Sequence, residues 1–229
     1  RTGGLSYSRL RVPLQQLIDN GNILKNLFQD YNLIMKSKEE TRWLELLKKP
    51  ARTEKERKEK ELAREAFNNQ LKLEIKGLSD ELKAAGSKFS NPWDMVNSKE
   101  AYSEAINILI EHLHKPYHEK NKEGIVRALT VKEARGKANA SLINEYNNIS
   151  KDRHNLRWTI GNAFTIIVTP NDFESISSIV KDKSNGMSRY RFVEALAKIK
   201  TADSRACLQY LLDDKEMKPY AEKALKKMK

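Results

Sequence analysis

The sequence predicts an all-α fold: an α-solenoid of about four antiparallel helix pairs preceded by an N-terminal helical region. Three observations carry that reading. Glycine and proline are scarce, 9 and 6 in 229 residues, while 32% of the chain is charged, a composition that favours helices over sandwiches or barrels. A small-then-large apolar pair recurs at 128/129, 163/164, 195/196 and 224/225, at intervals of 35, 32 and 29 residues. That period marks stacked helix pairs, because a lone pair cannot bury its apolar face. Finally, a cation stands six residues before the small member of each pair: Lys122, Arg157, Arg189 and Lys218.

Residues 1–36 read as a helical hairpin. Leu14, Leu17 and Ile18 share one face, Leu24, Leu27, Phe28 and Tyr31 share another, and Asp19-Asn20-Gly21-Asn22 between them has turn chemistry. Residues 37–96 form a charged helical region packed on or capping the repeats. There Trp43, Leu44 and Leu47 give a short apolar face, and Pro50 closes that helix. Acids and bases then alternate at spacings that suit a solvated helix, before Leu62, Ala66, Leu71, Ile75, Leu78 and Leu82 build one docking stripe. The turn Ser90-Asn91-Pro92-Trp93-Asp94 is the candidate boundary to a repeat domain over 97–229.

In that domain the expected pairs are 98–115 with 120–134, 137–150 with 153–168, 172–181 with 187–200, and 203–213 with 216–228. Asp172 and Asp203 are candidate N-caps. The β-branched stretch 163–169 would suit a strand by itself, but its position in the repeat makes it helix.

Net charge is +12, which raises the prospect of a polyanionic partner. The cations are spread thinly, however. Basic and acidic residues number 4 and 2 in 1–35, 15 and 11 in 36–89, 8 and 8 in 90–150, and 16 and 10 in 151–229. A dedicated phosphate binder concentrates them on one stripe. The single Cys207 forms no intrachain disulfide, and no apolar run has the roughly 18–20 residues that span a bilayer. The expected setting is cytoplasmic, with no membrane contact.

Chemistry-bearing residues are sparse. Among His112, His114, His118 and His154, the four-residue spacing of His114 and His118 would suit a metal on one helix face. Pro116 interrupts that helix, so these read as surface histidines near a helix end, with no metal and no cofactor expected. Cys207 lies beside Leu208 and Leu211 and reads as a buried inert thiol. No phosphate loop, dinucleotide fingerprint, nucleophile elbow or zinc-protease motif occurs, so no catalytic residue is assigned. The remaining signal is a set of aromatics interleaved with cations at the front of successive second helices. Arg157 and Trp158, then Arg189, Tyr190 and Arg191, then Lys218 are the candidate partner-binding residues, with Tyr220 beside them.

Leu211 to Met228, through Asp213-Asp214 and Ala224-Leu225, resembles the second half of a HEAT-type (armadillo-like) repeat, and the likeness extends over roughly 98–229. It implies a helical stack whose turn acids and helix cations form a ladder. Asp152, Asp182 and Asp213 or Asp214 would then serve Arg157, Arg189 and Lys218. It also implies a non-catalytic scaffold or adaptor that binds a macromolecule, foremost a protein, on the surface lined by second helices. The alternative is a nucleic-acid binder or a HEAT-like DNA glycosylase with a basic, aromatic-lined concave face. The catalytic aspartate flanked by tryptophans that this alternative requires has its nearest counterpart in Asp94 beside Trp93.

Overall fold

The computed structural model describes residues 37–51 and 53–228; the expected hairpin over 1–36 lies outside them. The described residues are all-helical, with twelve α-helices, five short 3-10 segments and no strand. The described residues divide between two units, one up to Arg64 and one from Glu65 onward.

In the first unit, α1 (Lys38–Lys48) starts at Ser37, whose hydroxyl accepts the Glu40 N–H at 3.0 Å. It ends as expected just before Pro50, with Lys49 extended. Its buried apolar residue is Leu46, while Leu47, expected on the apolar face, is half exposed. The next helix, α2 (Glu54–Glu74), opens with a capping box. Thr53 Oγ1 accepts the Glu56 N–H, and the Glu56 carboxylate accepts the Thr53 N–H at 2.8 Å.

The second unit begins within α2. Phe67, Ile75, Leu78 and Leu82 are buried, Leu71 is partly covered, and Leu62 and Ala66 are exposed. The docking stripe therefore runs through Phe67 rather than through the first two positions expected of it. Helices α3 (Lys76–Ala84) and α4 (Pro92–Met95) bring Leu78, Leu82 and Met95 into the same hydrophobic cluster as the rest of the unit. Packing is thus continuous across the candidate boundary at residue 97.

Four helix pairs follow: α5 (Ile106–Leu113) with α6 (Glu119–Ala128), α7 (Asn139–Asn148) with α8 (His154–Ile167), α9 (Phe173–Lys181) with α10 (Tyr190–Ile199), and α11 (Ala202–Tyr210) with α12 (Lys218–Lys227). Partners within each pair touch, and the second helices also touch in series, α6 to α8, α8 to α10 and α10 to α12. The ambiguous stretch 163–169 is helical through Ile167. Burial of Ile160, Ala163, Phe164 and Ile167 at 0% exposure overrides its β propensity. The recurrent pair is the seam itself: Ala128, Leu129, Ala163, Phe164, Ala195, Leu196 and Ala224 are all buried, and Leu225 is packed against them.

The N-caps differ from expectation. Thr201, not Asp203, caps α11, and Asp172, though it stands at the N-cap position of α9, makes no side-chain cap bond there; Thr169 is the N-cap of the 3-10 turn just before it. Asp172 sits three residues on and accepts the Thr169 N–H at 2.7 Å, and it also receives Asn139 from α7. Its carboxylate therefore joins two pairs as well as closing a turn.

Two glycines allow close helix approach, Gly124 of α6 against α4 and Gly161 of α8 against α10. A Cβ on Gly124 would lie 2.7 Å from Trp93 Nε1, and one on Gly161 would lie 3.0 Å from Arg191 Cβ and 3.1 Å from the Phe192 ring. Trp93 is partly exposed and can yield, whereas Phe192 is fully buried. Gly161→Leu is expected to destabilise the fold by about 2–3 kcal/mol through overpacking between α8 and α10. A chemical-denaturation midpoint equal to wild type would contradict that close approach.

Candidate functional site

The sequence places one cation at the start of each second helix, and the structure turns the first three inward. Lys122, Arg157 and Arg189 are 5%, 2% and 0% exposed. Each reaches the following helix pair. Lys122 Nζ bonds the buried Glu145 carboxylate of α7. Arg157 donates to the Tyr146 and Ile149 carbonyls at 2.8 and 3.2 Å and to Asn185 Oδ1 at 2.6 Å, with its guanidinium 3.8 Å from the Tyr146 ring centre. Arg189 donates to the Gly186 and Val180 carbonyls at 2.9 and 3.1 Å, and to the Asp214 and Glu216 carboxylates at 2.7 Å each.

This corrects two expectations. Arg157 and Arg189 cannot meet a partner, because their guanidinium groups are buried in the seam. The ladder acids also differ: Arg189 pairs with Asp214 of the next unit rather than with Asp182, and Arg157 meets neutral acceptors rather than Asp152. Asp182 instead accepts the Ser184 N–H at 2.9 Å and lies near Lys151. Lys218, the fourth cation, is exposed.

The Asp214 carboxyl is subject to opposing effects. Burial works to raise its pKa, but the Arg189 guanidinium and the Met217 and Glu216 N–H groups favour the anion, and the net shift is downward from the ordinary 3.8. A depressed folded-state value gives stability that is full well above 3.8 and is lost as pH falls through the folded value. Acid unfolding below pH ~4 is therefore expected to flatten in Asp214→Asn, measured as the slope of unfolding free energy against pH. A slope identical to wild type would remove Asp214 from the acid response.

One or two residues beyond these cations, the side chains turn outward. Trp158 Nε1 donates to the Tyr190 hydroxyl at 2.5 Å, and the Tyr190 and Tyr220 rings stack at 4.8 Å with an interplanar angle of 25°. The Arg191 guanidinium lies 4.8 Å from the Trp158 ring centre and 5.1 Å from that of Tyr190, and it pairs with Glu194 at 2.8 Å. These side chains join α8, α10 and α12 into one half-buried stripe. A parallel arrangement occurs on α6, where Arg127 stands 6.0 Å from the Trp93 ring centre and pairs with Glu123. Trp158, Tyr190 and Arg191 are thus brought together as expected. Glu194, Trp93 and Arg127 are additions; Glu194, three residues from Arg191, and Arg127, four residues from Glu123, have spacings that could have signalled them, and Trp93 has none.

Arg191 stands over Trp158, Arg191 and Tyr220 over Tyr190, and Tyr190 over Tyr220, so at least one face of each ring is engaged within the protein. Base stacking needs free faces. Asp94 is exposed, beside the Trp93 that packs over Gly124.

Past the stripe, a groove of about 340 Å³ opens between the C-terminal turns of α8, α10 and α12, lined by Thr165, Glu194, Ala197, Lys198, Lys200 and Lys227. Lys198 donates to the Thr165 carbonyl. Lys200, the C-cap of α10, has φ 58°.

The remaining chemistry-bearing residues are embedded in packing. His112 is buried, not at the surface as expected, with Nδ1 2.6 Å from the Tyr117 hydroxyl and Nε2 3.0 Å from Glu81. His118 caps α6 by accepting the Lys120 N–H at 3.1 Å. Cys207 is buried, 3.5 Å from Ser177 Oγ. No helix among the described residues is long and apolar enough to cross a membrane. Compared with protein-family models, with curated proteins and with solved structures, the chain matches none.

Proposed function

We propose that residues 97–229 form a HEAT-like α-solenoid that acts as a non-catalytic scaffold or adaptor, binding a protein partner on the face of its second helices. The observation that supports this most is the serial contact of α6, α8, α10 and α12. Their common face presents the Trp158–Arg191–Tyr190–Tyr220 stripe and the groove beside it. Large half-exposed aromatics with an arginine among them are the residue types enriched where proteins meet. A nucleic-acid reading draws support from the net charge of +12, but the engaged ring faces favour the protein partner. The buried unpaired thiol of Cys207 suits the reducing conditions of the cytoplasm.

Photo-crosslinking in cells tests the reading. A crosslinking amino acid at Asn162, Lys198 or Lys223 on second helices should capture a discrete polypeptide. The same probe at Asn144, Ser178 or Gln209 on first helices should not. Capture from the first-helix positions alone, or from none, would overturn the assignment of this face.

A further inference from the structure

We infer that the groove at the C-terminal ends of α8, α10 and α12 is a docking site for an acidic segment of a protein partner, its carboxylates received by Lys198, Lys200 and Lys227. The inference rests on the surface proposed above and names the chemistry of what it binds.

Three observations carry it. The first is charge. Three lysines line a groove whose one carboxylate, Glu194, is already paired with Arg191, so the lining presents a net positive field to an entering ligand.

The second is backbone conformation. Lys200 ends α10 in the left-handed region at φ 58°, where a side chain crowds the backbone and glycine terminates a helix at least cost. The lysine is held there against local preference, and its charge lines the groove. A residue kept in a strained conformation at a concave surface is where a functional demand outweighs stability.

The third is shape. About 340 Å³ is near the lower end of small-ligand sites and accommodates a few side chains. Ala197 and the Thr165 side chain give it a partly apolar floor. A nucleic acid needs a longer cationic track with open ring faces to stack on, and the neighbouring rings are covered by Arg191 and by each other. Separate lysine ammonium groups suit single carboxylates, each a compact charge on a flexible stem.

The test uses the full chain with fluorescein-labelled oligoglutamate, and with a labelled oligothymidylate of equal charge, read by fluorescence anisotropy at low salt. Wild type should bind oligoglutamate more tightly than oligothymidylate. Lys200→Gly combined with Lys227→Gln should weaken oligoglutamate binding about five- to tenfold. Lys55→Gln with Lys58→Gln, which removes the same charge from exposed positions on α2, should change it less than twofold by about the same measure. Lys200→Gly alone should raise the unfolding midpoint while weakening binding, which a lysine with a purely structural role would not do. Equal affinity of the groove variant and wild type, no oligoglutamate binding by wild type, or tighter oligothymidylate binding through the same lysines would each overturn the inference. Second-helix crosslinks that persist alongside such a result would leave the partner surface standing with a different chemistry. Loss of both would remove it.

Discussion

Arg189→Ala is expected to destabilise the protein by about 3–5 kcal/mol, the usual effect of removing one member of a buried ion pair. Arg189 has no exposed surface and satisfies four acceptors at once. Its removal leaves the Asp214 carboxylate, only 7% exposed, without its main counter-charge. The Val180 and Gly186 carbonyls lose a donor as well. Most of the loss therefore comes from what remains buried and unpaired, rather than from the attraction that is removed. Arg189→Met with Asp214→Leu should accordingly be less destabilised than Arg189→Ala alone, since apolar groups of similar volume leave fewer stranded charges. Arg191→Ala, two residues on and half-buried, should lose no more than about 1 kcal/mol. Urea denaturation followed by circular dichroism separates these cases. If Arg189→Ala unfolds within about 1 kcal/mol of wild type, the buried cation does not hold successive pairs together.

The contrast between Arg189 and Arg191 also shows what a sequence can and cannot convey. The small-then-large pairs were legible because packing demands a small residue at the close-approach position and a large one beside it in every unit. All four pairs duly line the core. The facing of the cations was not legible. One residue along a helix turns a side chain by about 100°. That rotation separates the buried Arg157 from the half-exposed Trp158, and the buried Arg189 from the Tyr190–Arg191 stripe. The cations and the aromatics that follow them recur at the same period, so periodicity alone assigns neither to seam or surface.

The ladder partners were hidden for another reason. Glu145, Asn185 and Asp214 lie 23, 28 and 25 residues beyond the cations they meet. Only the docked geometry of the next pair selects them over nearer acids such as Asp152 and Asp182. Lys200 carries no sequence signal at all, because its significance rests on a backbone angle. Burial of His112 likewise depends on Glu81 and Tyr117, contributed from α3 and from the loop after α5.

Phe192→Ala should have an effect comparable to Arg189→Ala, about 3–5 kcal/mol, but through a cavity rather than a stranded charge. The ring is fully buried where three helices converge. It stands edge-on to Tyr146 of α7 at 4.9 Å and tilted against Phe164 of α8 at 5.4 Å, and it reaches the space left open by Gly161. Tyr146 is itself held by Ser188 at 2.7 Å and lies under Arg157, so its ring cannot swing across to fill the gap. Neighbours that cannot collapse make a cavity costly. Phe192→Leu, which keeps much of the volume, should recover more than half of the loss; failure to do so would mean that the aromatic contacts, rather than the filled space, dominate. The defect falls between the second and third helix pairs. In a stack stabilised by nearest-neighbour contacts, damage at one interface uncouples the units on either side. Hydrogen exchange in Phe192→Ala should therefore accelerate most in α9 to α12, with α5 and α6 retaining more of their protection. Uniform acceleration across all eight helices would show that the pairs unfold as one cooperative block. The stripe of Trp158, Tyr190, Arg191 and Tyr220 would then depend on the whole core rather than on the interface immediately beneath it.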